Sequence, residues 1–190
     1  MTETTVPRHH RERLQRMRRI RSLSRVMAFF CGLISAVLPA AVAVFWFAAS
    51  WTNIFAAADI GAPERYHVTD GIRILAFLIN ILPLSVLIWG LLRVCNCFSI
   101  FASGHLFSEK AVRALQDFSL AILISSLLRP LSSAMLKVLL TWNGPPNSTI
   151  FSVTISSDTV FALLFAGTVF VIAWGMKEAI AIADENEQFV

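Results

Sequence analysis

Residues 27–51 read MAFFCGLISAVLPAAVAVFWFAASW, an apolar stretch without a charged side chain. The hydrocarbon core of a bilayer is about 30 Å thick, so a helix that crosses it needs about 20 largely apolar residues. This stretch meets that length, and it is far longer than the apolar core of a signal peptide, which has about 7–15 residues. It therefore predicts a membrane-spanning helix, with a cleaved signal peptide as the alternative.

Three further stretches are long and apolar enough to span a membrane. They cover residues 72–92, 114–140 and 159–176. The whole chain is 56% apolar and 15% charged, whereas soluble domains are roughly 45–50% apolar and about 25% charged. The sequence predicts an all-α membrane protein with four transmembrane helices. Its composition excludes a disordered chain, and three cysteines are too few for a disulfide scaffold.

The basic residues are distributed unevenly between the ends of these stretches. Eight of the sixteen Lys and Arg residues precede residue 27, and three lie in the connection 93–113. The other two connections hold only Arg65, with Arg73 at the start of the second stretch. Because cytoplasmic loops are enriched in Lys and Arg, we expect both termini of this multi-pass membrane protein to be cytoplasmic.

This topology divides the chain into three regions. Residues 1–26 form a basic cytoplasmic arm, 27–183 the transmembrane domain, and 184–190 an acidic cytoplasmic tail. The arm is expected to contact the anionic leaflet, where each basic residue contributes about 1 kcal/mol. Arginine clusters also neutralise nucleic-acid phosphates, but no base-reading fold accompanies the arm, so we predict a lipid partner and no nucleic acid. The predicted membrane-surface residues are Arg16, Arg18, Arg19, Arg21 and Arg25.

The two outward connections contain short patterns of their own. After the turn signal at 143–147, the apolar residues Phe151, Val153 and Ile155 alternate with Ser and Thr, a period-two pattern typical of a strand. Residues 66–69 are a candidate partner strand. The sequence predicts a short β hairpin in the outer loops.

The middle connection is expected to open a helix that leads into the third span. Gly104 breaks the preceding helix, Ser108 is a candidate N-cap, and Glu109 suits the first turn.

Arg129 falls near the middle of the third span, about 16 Å below its outer end at 1.5 Å per residue. A charge at this depth costs at least about 2.5–3.5 kcal/mol, so it needs a partner, a wet cavity or a bilayer defect. Asn80 lies at a similar depth in the second span, and Ser126 and Ser133 flank Arg129 on its own helix. These four residues form a candidate ligand-binding pocket, and the alternative is a polar cluster that fixes helix packing.

Two segments carry a resemblance to a known family. They are GHLFSEKAVRAL at 104–115 and ADENEQFV at 183–190, with TWNGPP and SSD between them. In this order they resemble the bacterial membrane-protein family catalogued as domain of unknown function 2975, over roughly residues 72–190. The chain departs from the pattern at Glu109-Lys110, where an acidic residue followed by Asn is expected.

The resemblance implies a multi-span bacterial inner-membrane protein with no established enzymatic activity. Some members are similar to proteins encoded beside small helix-turn-helix regulators, which implies a regulatory role. A protein partner in the membrane or cytoplasm would then meet the middle connection and the tail, and a homo-oligomer is left open. The predicted cytoplasmic interface comprises Phe107, Ser108, Glu109, Asp184, Glu185 and Asn186.

Known catalytic, phosphate-binding and metal-binding motifs are absent from the sequence. We therefore expect a non-enzymatic membrane component without a cofactor or metal, with a regulatory, sensory or partner-binding role. The alternative is a small-solute channel or transporter subunit with a polar midplane site.

Overall fold

The computed structural model describes residues 8–61, 66, 69–103, 108–143 and 149–187, with side chains described from residue 21 to 183 and at residue 185 within those ranges. Its helices are α1 (Arg8–Ala48), α2 (Trp51–Ala57), α3 (Asp70–Ser103), α4 (Glu109–Thr141) and α5 (Ser157–Glu187).

Four helices contain apolar segments long enough to cross a membrane. These segments are Arg21–Ala48, Asp70–Ser103, Glu109–Thr141 and Ser157–Ala183. The predicted helical fold with four apolar spans is confirmed. The helices exceed the predicted spans, since α1 already begins in the basic arm and α3 continues past residue 92. The short helix α2, in a segment expected to be a connection, was not predicted.

Polar contacts between α1 and α3 show that these helices run antiparallel. Near the start of α3, the Arg73 guanidinium donates hydrogen bonds to the carbonyls of Phe47 (3.3 Å) and Ala49 (3.4 Å), where α1 ends. Near the end of α3, the Cys95 thiol lies 3.3 Å from the carbonyl of Ala28. We call the end of the bundle that holds Arg73 and α2 the α2 end, and the other the opposite end.

The contacts between α3 and α4 set the register of a second antiparallel pair. The Ser125 hydroxyl of α4 donates to the carbonyl of Pro83 in α3 at 2.9 Å. Towards the opposite end, Arg93 Nε lies 3.4 Å from a carboxylate oxygen of Asp117. Helix α5 packs against α4. The long helices therefore pack in the order α1, α3, α4, α5, with α3 and α4 in the middle.

Gly90 allows α3 and α4 to approach closely. A Cβ atom at this position would lie 2.4 Å from the Cβ of Ala121, which is fully buried. Real Cβ atoms do not come this close, so the observed distance between the two helices requires a glycine here.

Two apolar clusters close the bundle, one at each end. At the α2 end, Ile54 and Phe55 of α2 are buried against Trp46, Ala76 and Leu140 of the spanning helices. The Phe55 ring also stacks on Tyr66 with 5.5 Å between the ring centroids. The cluster at the opposite end has buried Val94, Cys97, Ala111 and Ala114 at its centre. The buried apolar core is thus concentrated at the two ends.

The N-terminus of α4 matches the sequence-based expectation. The backbone N–H of Ala111 donates to the Ser108 hydroxyl at 3.3 Å, and Glu109 occupies the first turn. Ser108 is therefore the N-cap of α4, as predicted, and its hydroxyl satisfies an N–H group that has no partner within the helix.

The predicted β hairpin is not confirmed. Residues 149–156 are described and are neither helical nor part of a strand, whereas His67 and Val68 lie outside the described residues. The segment bonds to α4 instead. The backbone N–H of Ile150 donates to the Thr141 hydroxyl (3.1 Å), and Lys137 Nζ donates to the Ser152 hydroxyl (3.1 Å).

We predict that Gly90→Val lowers the free energy of unfolding by about 1–3 kcal/mol, the usual cost of overpacking, because the new side chain forces α3 away from Ala121. Unfolding by sodium dodecyl sulfate, followed by tryptophan fluorescence of the detergent-solubilised protein, measures this change. Gly167→Val is the matched control, since a Cβ at Gly167 meets nothing within 4 Å. Equal losses in the two variants would contradict the proposed close contact.

Candidate ligand-binding site

A cavity of about 660 Å³ lies between the two apolar clusters and is lined by residues from every helix of the bundle. Its apolar wall includes Leu38 and Val42 of α1 with Leu84 and Leu87 of α3. Its polar lining consists of Asn80, Ser125, Arg129, Ser132, Ser133, Thr154, Ser156, Asp158 and Thr159.

Arg129, the residue predicted to lie at mid-membrane depth, lines this cavity. Its side chain is exposed and has no hydrogen bond or ion pair with any residue that the structure describes. A guanidinium has five N–H donors in a fixed fork. These donors are therefore available to water or to a ligand in the cavity.

Asn80 faces the same cavity from α3 at the level of Arg129. Their common level follows from the contact between Ser125 and Pro83. Arg129 lies one turn beyond Ser125, Asn80 lies about one turn before Pro83, and the two helices are antiparallel. The sequence-based placement of both residues near one depth agrees with this register. The Asn80 side chain also has no hydrogen bond within the described part of the chain.

The serines that flank Arg129 differ in their positions. Ser133 lines the cavity with Arg129, as expected for residues four apart on a helix. Ser126 is buried but is not among the lining residues, so it does not join the other three predicted site residues. Ser132 and Ser125 line the cavity although they were not predicted as site residues. Because residues three apart lie on the same side of a helix, the spacing of Ser132 from Arg129 could have indicated that Ser132 belongs to the site.

Two of the helix-interior prolines are part of the cavity wall. Pro83 and Pro130 both line it. Proline has no N–H, so it frees a backbone carbonyl one turn earlier in its helix. Broken helices are tolerated at membrane depth where protein or water satisfies the freed groups, and both breaks occur beside this cavity.

Residues 149–156, which we call the polar strap, run along α4 towards the middle of the bundle. Ile150 bonds to Thr141, and Ser152, two residues later, bonds to Lys137, one turn earlier on α4. Farther along, Thr154 and Ser156 line the cavity. The alternating residues Phe151 and Ile155 are 72% and 66% exposed. The polar side of the strap therefore faces the bundle and its apolar side faces outward.

Lys137 is buried, with 8% of its surface exposed, and it bonds to Ser152 at 3.1 Å. Within the described ranges, neither Asp70 nor Asp158 forms an ion pair with Lys137. Asp158, in the first turn of α5, lines the cavity instead. The place of Asp158 in the cavity could not be predicted, because the course of the strap that precedes it is not visible in the sequence.

The predicted interface residues lie away from the cavity. Ser108 is occupied as the N-cap of α4, and Glu109 pairs with Arg113 on the same helix. Glu185 is exposed on the last turns of α5. Phe107 lies outside the described residues, as do the side chains of Asp184 and Asn186.

The predicted membrane-surface residues are described only in part. Arg21 and Arg25 are exposed on α1, whereas the side chains of Arg16, Arg18 and Arg19 lie outside the described set. In the described ranges, no group of three or more His, Cys, Asp or Glu side chains could hold a metal ion.

Comparison with protein families shows what the chain is similar to. A family model described as "Protein of unknown function (DUF2975)" matches residues 55–190. The match confirms the resemblance derived from the sequence and extends it back into α2. It includes every cavity-lining residue except those of α1. Neither the curated proteins nor the solved structures contain a significant match to the chain.

We predict that a cysteine at Ser133 is accessible to water, because that side chain faces the cavity. In a background without the three native cysteines, sulfonatoethyl methanethiosulfonate should modify Ser133→Cys about tenfold faster than Leu131→Cys or more, since only a hydrated thiol ionises. Leu131 is the matched control because it is exposed at nearly the same depth but does not line the cavity. Similar rates at both positions would mean that the cavity is not hydrated.

Proposed function

The chain belongs to the family described as "Protein of unknown function (DUF2975)", and we propose that it is a non-enzymatic sensory component of the bacterial inner membrane. In this proposal the cavity around Arg129 binds a small polar ligand from outside the cell, and the occupied state is transmitted to a cytoplasmic partner. The observation that carries the proposal is an arginine that lines a cavity in an apolar bundle without a partner among the described residues.

The energetic argument concerns the cost of the Arg129 charge. A charged residue at the centre of a spanning helix costs at least about 2.5–3.5 kcal/mol on insertion scales. Such residues are usually paired within the protein or face a water-filled cavity, and they mark substrate or ion sites. The cavity volume of about 660 Å³ also lies within the range of about 300–1,000 Å³ that is typical of small-molecule sites.

The distribution of charge supports an outward-facing α2 end. Arg21, Arg25, Arg93 and Lys177 all lie towards the opposite end, where positive charge favours the cytoplasm. At the α2 end, the Arg73 guanidinium is held by the last carbonyls of α1 and lies 4.4 Å from the centre of the Trp51 ring. Arg73 therefore stabilises a helix terminus, which accounts for an arginine at the end of the bundle where the charge asymmetry predicts few.

Helix α4 connects the cavity with the proposed partner surface. It carries Arg129 at the cavity and begins at Glu109, beside the predicted cytoplasmic interface. Between them, Asp117 of α4 pairs with Arg93 of α3. A ligand that shifts the middle of α4 relative to α3 would therefore also change the distance between Arg93 and Asp117. We propose that the partner contacts the connection between α3 and α4 and the acidic end of α5.

A small-solute channel or transporter subunit is the second candidate. Its supporting observation is that Pro83 and Pro130 interrupt two central helices beside the cavity, as broken helices do at transporter sites. The apolar cluster around Val94 and Cys97 closes the opposite end of the bundle, which favours binding without passage. Uptake of a bound solute into proteoliposomes would support the transporter and contradict the purely sensory protein.

We predict that Arg129→Leu leaves the stability of the detergent-solubilised protein unchanged or raises it, because Arg129 has no protein partner to lose, while it abolishes ligand binding. Arg73→Leu is the matched control. It removes two hydrogen bonds and a cation–π contact, so it should lower the free energy of unfolding by about 1–3 kcal/mol. A comparable loss in Arg129→Leu would make Arg129 a structural residue and remove the basis of the proposal.

The proposed orientation predicts where the two ends of the bundle can be labelled. In a cysteine-free background, Thr52→Cys in α2 should react with a membrane-impermeant maleimide on intact cells. Glu178→Cys in α5 should react only after the cells are permeabilised. Both positions are exposed, so burial does not limit either reaction. The reverse pattern would place the cavity mouth in the cytoplasm.

A further inference from the structure

We infer that the ligand is a short molecule with an anionic group at one end and an ammonium group at the other. This inference rests on the proposed function, since it names the chemical class that the cavity recognises. Its basis is that Arg129 and Asp158 line one cavity without forming an ion pair with each other or with another described residue.

The cationic subsite is formed by α3 and α4. Arg129 presents a planar fork that matches a carboxylate or a phosphate group. Asn80 lies at the same level on α3, and Ser133 lies one turn along α4 from Arg129. The amide and the hydroxyl supply further donors to an anion. Because these three side chains have no hydrogen-bond partner among the described residues, an anionic group can bind without displacing a protein contact.

The anionic subsite is the carboxylate of Asp158. It stands in the first turn of α5, where the helix dipole favours negative charge, and a carboxylate there attracts a cation. Lys137 does not neutralise Asp158, because Lys137 bonds to Ser152, forms no ion pair with Asp158 and is not among the cavity-lining residues. The cavity therefore has an unpaired charge of each sign.

The other lining residues of the cavity determine what can join the ligand's charged groups. Leu38, Val42, Leu84 and Leu87 line it on one side, and they suit methylene groups. Hydroxyls of Thr154 and Ser156 in the polar strap line it on another side. A short ω-amino acid has this chemistry, and so does the headgroup of phosphatidylethanolamine, in which a phosphate and an ammonium are joined by two carbons.

The experiment compares matched probes on the full-length protein in phosphatidylcholine nanodiscs. γ-Aminobutyrate and ε-aminocaproate are titrated against the monocarboxylates butyrate and caproate and the amines butylamine and hexylamine, with binding measured by isothermal titration calorimetry. At least one amino acid of the series should bind about tenfold more tightly than the carboxylate and the amine of its own length. If none of the amino acids exceeds its matched carboxylate and amine, the inference is overturned.

Two variants assign the subsites. Asp158→Asn should weaken binding of the preferred amino acid about tenfold or more, yet leave or improve binding of its matched carboxylate, because only the ammonium loses a partner. Arg129→Gln should weaken both ligands and leave the amine unaffected. A general loss of structure would reduce binding of all probes together, so melting curves are recorded for each variant. An Asp158→Asn variant that is folded and keeps the amino-acid preference overturns the inference.

Two further arms separate the sources of the ligand and the two proposals. If native mass spectrometry shows that wild type, but not Arg129→Gln, retains phosphatidylethanolamine after extraction, the zwitterion is a lipid headgroup. Tight binding of the free amino acid without such retention identifies a soluble zwitterion. If a simple carboxylate binds best in an Arg129-dependent manner, the zwitterion inference fails while the proposed ligand-binding function stands.

Discussion

A guanidinium group in the middle of an apolar helical bundle is the constraint on which the rest of the architecture depends. Arg129 has no partner among the described side chains, and hydrocarbon cannot solvate its charge. The surrounding structure supplies polar surface instead. Asn80 faces the cavity from α3, Ser133 lies along α4, and Thr154 and Ser156 belong to the polar strap. The cavity therefore lowers the free-energy cost of placing this charge inside the bundle. A bundle packed tightly to its centre could not contain this residue.

The placement of the apolar core follows from this constraint. The buried clusters lie at the two ends of the bundle, around Phe55 and around Cys97, and they hold the helices together above and below the cavity. Between the cavity and the opposite end, Gly90 brings α3 against Ala121 of α4. Close backbone approach of this kind provides van der Waals contact where lipid removes most of the hydrophobic driving force between helices. The central helices are thus fixed beside a cavity without filling it.

Local sequence signals predicted the spans, the Ser108 cap and the common depth of Arg129 and Asn80, since each depends on apolar length, a few adjacent residues or counting along a helix. Three features could not be predicted because they depend on contacts between distant segments. The break before α2 is hidden within a continuous apolar run. The role of Gly90 depends on the register of α3 against α4. Which side of the polar strap points towards the bundle depends on its surroundings. A period-two pattern has two opposite faces, and the sequence does not determine which of them points inward.

The polar strap supplies polar groups to the cavity, and the cavity provides a polar environment for the backbone of the strap. The strap is irregular backbone that runs inward along α4, as its contacts with Thr141 and Lys137 show. Irregular backbone at membrane depth needs partners for its N–H and C=O groups, and it is tolerated where it is buried in protein or lines a water-filled space. The strap places Phe151 and Ile155 outward and Thr154 towards the cavity, so its exposed face suits lipid and its inner face suits water. Thr154 and Ser156 of the strap line the same cavity as Arg129, so the polar surface that solvates the guanidinium comes from the strap as well as from α3 and α4.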